Sequence, residues 1–375
     1  MKKLVMLAVI TLSLLISLDV FFIDKKVNTD PSTDHTDNRL YIERAKTILN
    51  GGLLYRDVVT KTPPLINYLL VPPVLFGASP LAFEIYFSFF IVLTVATIYY
   101  FLSPMDKKLA RLAAMAFLFL PTTLATPTLC RQDESIVVFF FILPLLMLYG
   151  GKGKIWYSFL STIGVWIKMH SVFLLPPFLI KERKDIVKHI GVITFLSLII
   201  ALPFLILAFD GFTWFLKFYL LGKGEELQGI SLWRLLDAIN LTIPSLVLIS
   251  LMGVAILAIY IKFHHIPLWK LILLTLIIYF LLYPKIHYEY FLMFFALSIP
   301  YMIEKKRYIV LLYSISILSS VVLLIEQRYL DWGVMTEGKW FFVPLAIFAM
   351  VLVDVVLIYL FYHILKERFW LDEEI

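Results

Sequence analysis

The chain has 375 residues, of which 61% are hydrophobic and only 16% charged, and its mean hydropathy is +0.90. Ordinary soluble domains carry roughly a quarter charged residues, so this composition excludes a water-soluble globule, a disordered chain and a disulfide-stapled scaffold. Cys130 is the single cysteine, which rules out an intrachain disulfide. The net charge of +6 does not indicate nucleic acid, because basic residues of polytopic proteins collect at the cytoplasmic ends of spans.

A helix needs about 20 mostly apolar residues to cross the hydrocarbon core. In chain order, full spans are predicted at 4–23, 79–102, 109–129, 134–149, 190–209, 241–261, 268–284, 287–303, 308–325 and 341–363. Lys2 and Lys3 precede the first, whose apolar run exceeds a signal-peptide core and lacks a small-residue cleavage site, so it reads as an uncleaved span. The stretch Ile155 to Ile180 has 26 residues, or ~39 Å as a helix, too long for one snug span and too short for two. Both its flanks are basic, with Lys152 and Lys154 before it and Lys181, Arg183, Lys184 and Lys188 after it. The positive-inside rule puts both in the cytoplasm. A hairpin of two short helices follows, its tip at Lys168-Met169-His170. The predicted fold is thus an all-α integral membrane bundle of about twelve membrane elements, a single domain over 1–375, with both termini cytoplasmic.

The remaining polar residues gather on the opposite, extracytoplasmic face. The first loop, 24–78, contains Asp30, Asp34 and Asp37, then an amphipathic segment from Asn38 to Asn50 stopped by Gly51 and Gly52. Arg56, Asp57 and Lys61 follow, with Pro63 and Pro64 leading into a 13-residue apolar stretch too short to span. The loop reads as interfacial helices on the membrane surface. Arg131-Gln132-Asp133-Glu134 forms a second polar site, Lys168 and His170 a third, and Lys285, His287, Tyr288 and Glu289 a fourth. Charges at membrane depth are costly and usually functional. A second outer loop at 210–240 carries aromatics and a glycine-flanked charged stretch, making it a candidate lid. Asp354 lies within the last span without a functional account.

The order Asp37-Asn-Arg-Leu-Tyr41-Ile-Glu-Arg-Ala45, then Leu49-Asn-Gly-Gly-Leu-Leu-Tyr55-Arg-Asp57, then Lys61-Thr-Pro-Pro-Leu65 resembles the polytopic C-type glycosyltransferases. Among these are the protein O-mannosyltransferases and the lipid A aminoarabinose transferases. The similarity is clearest over residues 30–85. It implies transfer of a sugar, with inversion, from a polyprenyl-phosphate donor to a glycan, lipid or protein acceptor on the outer side of the plasma membrane.

The resemblance places the catalytic aspartate at Asp37, with Asp34 as competitor, although an Asp before a helix is equally an N-cap. It also implies a phosphate contact at Lys61, shared with Arg56, Lys168 and Arg131. Asp133 and Glu134 form the second acidic element, which positions the acceptor or caps the next helix. His170, His287 and Tyr288 are candidate substrate contacts. No cofactor is firmly implied; a divalent cation serves one branch of the family, but no closely spaced ligand set is visible in the sequence. Membrane lipids are the surrounding partners, and nucleic acid is not one. The rival readings are a transporter or flippase of lipid-linked saccharide, which should show paired inverted repeats, and a surface-polysaccharide ligase or polymerase, which should show a large late outer loop. The first outer loop is the longest and no repeat is evident, which favours the transferase.

Overall fold

The computed structural model describes residues 1–24, 36–221, 227–327, 329 and 339–372. Its elements are helical apart from one two-residue parallel pairing, Gln228–Gly229 with Lys285–Ile286. Two compact units divide the chain, one of residues 1–119 and 123–220, the other of 120–122 and 221–375.

The first unit opens with α1 (Lys2–Leu18), which runs on as a π turn over Asp19–Ile23. Helix α2 (Asn38–Leu49) ends at Gly51, whose φ of +75° is the left-handed conformation that closes helices. Pro64 opens α3 (Pro64–Leu69), and α4 (Val71–Leu75) follows. Ser79 caps α5 (Pro80–Leu102) by accepting from the Ala82 amide, with Pro80 at the first helical position. Asp106 caps α6 (Lys107–Leu118) in the same way, accepting from Lys108 and Leu109. That helix stops short of Pro121, which opens the one-turn α7 (Pro121–Ala125). Helices α8 (Glu134–Tyr149) and α9 (Lys154–Ile167) come next. Beyond Lys168 lie a 3-10 segment (Met169–Leu174) and α10 (Leu175–Lys181).

The two arms around Lys168 form the expected hairpin. The Tyr157 hydroxyl donates to the Leu174 carbonyl across it at 2.9 Å, the Tyr157 ring stacks on Phe178, and Gly164 lets Ser171 approach closely. The unit closes with α11 (Ile186–Leu207) and α12 (Phe209–Leu221). A cluster of Tyr55, Trp166, Phe204, Phe212 and Phe215 packs the turn after α2 against these last helices.

The second unit contains α13 (Leu232–Asp237), α14 (Ser245–Phe263), α15 (Leu268–Leu282), α16 (Phe291–Met302), α17 (Lys306–Glu326) and α18 (Lys339–Lys366). Its chain end folds back. Asp372 accepts from Trp269 and Lys270, while Glu367 receives Lys305, Arg307 and His363.

Among the described residues, six helices are long and apolar enough to cross a membrane: Lys2–Ile23, Pro80–Leu102, Arg183–Leu207, Ser245–Phe263, Lys306–Glu326 and Lys339–Lys366. The all-α, multi-pass membrane class stands, but the count of about twelve membrane elements does not. Of the ten full spans expected, 109–129 is broken between Leu118 and Pro121, and 134–149 is a 16-residue helix. Likewise 268–284 and 287–303 yield helices of 15 and 12 residues. At 1.5 Å per residue these cover ~24, ~22 and ~18 Å, less than a ~30 Å hydrocarbon core.

Candidate functional site

Asp37 sits at the N-cap position of α2, yet its side chain makes no capping hydrogen bond. Its carboxylate is held instead by the Gln132 side chain. Gln132 in turn accepts from the Tyr41 hydroxyl at 2.9 Å, and that same hydroxyl accepts from the Asp133 amide at 3.3 Å. Tyr41 is fully buried on the inner face of α2, against Phe83 and Phe87 of α5. One tyrosine therefore fixes the spacing between α2 and the turn before α8.

From the hairpin tip, Lys168 reaches the same turn. Its Nζ lies 3.1 Å from Asp133 Oδ1 and 2.7 Å from Glu134 Oε1, with all three side chains buried. Lys168 can point there because its backbone is extended, breaking the helical run between Ile167 and Met169. The structure thus gathers Asp37, Tyr41, Gln132, Asp133, Glu134 and Lys168 from three separated stretches of chain.

Burial pushes the Asp37 carboxyl above its ordinary value, and the neighbouring Asp133 charge adds to this; Lys168, Arg44 and the Gln132 hydrogen bond oppose it. Burial, helped by the charges of Asp133, Asp37 and Glu134, also raises the Tyr41 hydroxyl well above its ordinary value, so it remains a protonated donor. A largely buried carboxylate whose proton affinity is raised, fixed by an amide and flanked by a cation, is suited to accept a proton.

Arg131 is placed differently from its neighbours. In a left-handed backbone conformation (φ +50°), its buried guanidinium turns to Asp19 at 2.7 Å, to Asp24, and to Glu84 at 2.9 Å. This ties the end of α1 to the start of α5. The three carboxylates offer oxygens within 4.8 Å of one another, a spacing that suits a cation, and Arg131 supplies the positive charge there.

Arg56 forms an exposed ion pair with Asp57, whose carboxyl is held at about 2 by the Arg56 hydrogen bond and by the Leu53 amide. Lys61 is exposed, its ammonium 4.7 Å from the Phe218 ring centre. His170 is buried on the 3-10 segment of the hairpin. His287 and Tyr288 belong to the second unit, where the His287 ring meets Tyr290 edge-on and the Tyr288 hydroxyl contacts Ser320 at 2.9 Å. Asp34 lies outside the described residues, as do Asp30 and the central part of the 210–240 loop.

Sequence reasoning left Gln132, Tyr41, Arg44, Asp19, Asp24 and Glu84 without assigned roles. Glu84 carried a signal, since a carboxylate inside an apolar span marks a polar contact, and Tyr41 and Arg44 fall on the face of α2 that follows from Asp37. In comparisons with known proteins, no family model and no curated protein matches the chain.

Proposed function

We propose that the protein is a membrane glycosyltransferase that moves a sugar from a polyprenyl-phosphate donor to an acceptor hydroxyl on the extracytoplasmic side of the membrane, with inversion. The observation that carries this reading is the placement of Asp37. Its carboxylate is free of the capping role that its position invites, held by Gln132, and set among Asp133, Lys168 and Arg44. In the reaction, Asp37 takes the proton of the acceptor hydroxyl as the oxygen bonds to the anomeric carbon. The bond from that carbon to the phosphate oxygen breaks at the same time, and polyprenyl phosphate leaves with the electron pair.

Lys168 keeps the Asp133–Glu134 pair close to Asp37 without an uncompensated buried charge. Lys61 lies on the exposed turn that precedes Pro63 and Pro64, where a compact ammonium is suited to a lipid phosphate. The basic stretches at Lys107/Lys108, 181–188 and Lys305–Arg307 support cytoplasmic ends there and an extracytoplasmic first loop whose short helices lie along the membrane surface. The six long helices are even in number, which fits two cytoplasmic termini if the shorter elements cross and return in pairs.

The test is to incubate purified protein with short-chain polyprenyl-phosphate sugars and measure released polyprenyl phosphate. Release is expected from wild type and should fall by about 10²- to 10⁴-fold in Asp37→Asn, the range for loss of a general base. Absence of release from every donor offered, in detergent and in vesicles, would defeat the transfer reading.

A further inference from the structure

The second unit holds a cavity that the transfer chemistry does not use. It measures about 340 Å³ and is lined by Ala238 and Ile239, just past α13, and by Lys339, Trp340, Val343 and Pro344 in the opening turns of α18. All six residues belong to this one unit. The α13 wall is fixed in place: the Ser231 hydroxyl donates to the Pro284 carbonyl at 2.8 Å, and the Trp233 ring nitrogen donates to the Leu281 carbonyl at 2.9 Å. Beyond Ile239, Asn240 takes a left-handed φ of +67° and turns the chain. On the α18 side Val343 is buried, whereas Trp340 is 78% exposed.

Five of the lining residues are apolar and the sixth is a cation. Among the described residues Lys339 makes no ion pair within 4.0 Å and no hydrogen bond, whereas Asp237, the carboxylate at the end of α13, is engaged by Arg234 at 3.6 Å and by the Thr242 hydroxyl. The charge at the cavity is therefore positive and uncompensated. Lys339 opens a 28-residue span. That span covers ~42 Å, more than a ~30 Å hydrocarbon core, so its first turn stands at headgroup level. Val343 and Pro344 lie one turn deeper, where the hydrocarbon begins. A compact ammonium above an apolar cavity at that depth matches an amphiphile with a phosphate head and a hydrocarbon tail. We propose that this cavity binds an anionic membrane phospholipid, its phosphate on Lys339 and one acyl chain between Trp340 and the Ala238–Ile239 wall. An interfacial lysine alone attracts anionic headgroups without regard to the chain below; the cavity adds a dependence on its walls. The assignment does not rest on the transfer reading.

The experiment titrates phosphatidylglycerol, and phosphatidylcholine with the same chains, into the purified full chain in uncharged detergent. Bound lipid is counted by native mass spectrometry for wild type, Lys339→Gln, Ala238→Phe and Ile239→Ser, with thermal unfolding of each recorded before lipid is added. Phosphatidylglycerol should bind wild type at least fivefold more tightly than phosphatidylcholine. Lys339→Gln should abolish that preference. Ala238→Phe keeps the ammonium but fills the cavity, and should weaken phosphatidylglycerol binding at least threefold. Should Ala238→Phe unfold at a lower temperature, the exposed Ile239→Ser decides instead, with a loss of at least twofold expected. Equal affinities for the two lipids in wild type would overturn the proposal. So would a loss confined to Lys339→Gln, the pattern of an interfacial lysine with no cavity beneath it. A short-chain prenyl phosphate that binds through the same residues more tightly than phosphatidylglycerol would also overturn it, and would give the cavity to a prenyl lipid.

Discussion

Asp37 is subject to opposed influences. Burial and Asp133 raise its proton affinity, whereas Lys168, Arg44 and Gln132 lower it. A general base acts only when ionised, so the acid limb of the kcat/KM profile should follow this group. Asp133→Asn removes the negative neighbour and is expected to move that limb to lower pH, as read from the rate profile; an unmoved limb would mean that another group titrates. The stability consequence has the reverse sign from the usual salt-bridged carboxylate. Between the ordinary value of 3.8 and its raised value, the folded protein binds more protons at Asp37 than the unfolded chain, so stability declines as pH rises through that window. Asp37→Asn, which slows transfer, should accordingly leave the unfolding temperature at neutral pH unchanged or higher. Lys168→Met should do the opposite to stability. It strands two buried carboxylates, at a cost of about 3–5 kcal/mol, and adding Glu134→Gln should restore part of the loss in thermal unfolding. The sequence brought attention to Asp37, Asp133, Glu134 and Lys168 through residue order alone. It could not separate Arg131 from Asp133, since only a left-handed turn sends these near neighbours to different partners. It missed Arg44 because a charge on an amphipathic helix reads as solvated until packing covers it.

At the scale of elements, the hairpin around Lys168 was legible because its length and two basic flanks left no other way to thread it. The interruption of 109–129 was not, because hydropathy averages across a break when the residues at the break are themselves apolar and buried, as Leu120 before Pro121 is. The turn between 284 and 287 was legible, but the helices on either side of it, Leu268–Leu282 and Phe291–Met302, are shorter than the expected spans. The contact between the Leu53–Thr62 turn and α12 was equally hidden. Gly211 of α12 lies against the Tyr55 backbone so closely that an added Cβ would stand 2.1 Å from the Tyr55 carbonyl oxygen. Tyr55 itself is buried with φ +69°, its hydroxyl donating to the Thr62 carbonyl at 2.8 Å, so the turn cannot readily retreat. Gly211→Ala should displace α12 from this turn, separate Phe218 from Lys61 and cost about 1–3 kcal/mol, the usual range for overpacking. Limited proteolysis within 205–221 would register the change as faster cleavage. Protection equal to wild type would show that the helix adapts in place.

For the molecule as a whole, exposure argues for the bilayer more directly than composition does. The spans Arg183–Leu207 and Ser245–Phe263 combine high hydropathy with only 11% of their most apolar windows buried inside the protein. Soluble monomers do not present apolar patches of that extent, so lipid must cover these helices. What lipid burial leaves open is direction, and on direction the functional reading depends: polyprenyl-phosphate transfer as proposed requires the α2 site outside and the basic turns inside. Cys130 is the only native thiol, so a Cys130→Ser background permits single-cysteine mapping in intact cells. Arg39, Lys107 and Lys184 are all exposed and suitable for replacement. An impermeant maleimide should label Arg39→Cys in intact cells, and should label Lys107→Cys and Lys184→Cys only after permeabilisation. The reverse pattern would put Asp37 on the cytoplasmic side and overturn the proposed topology. Agreement at Arg39 and Lys107 with labelling of Lys184→Cys from outside would instead break the hairpin reading, since Lys168 could then no longer enter from and return to the same face.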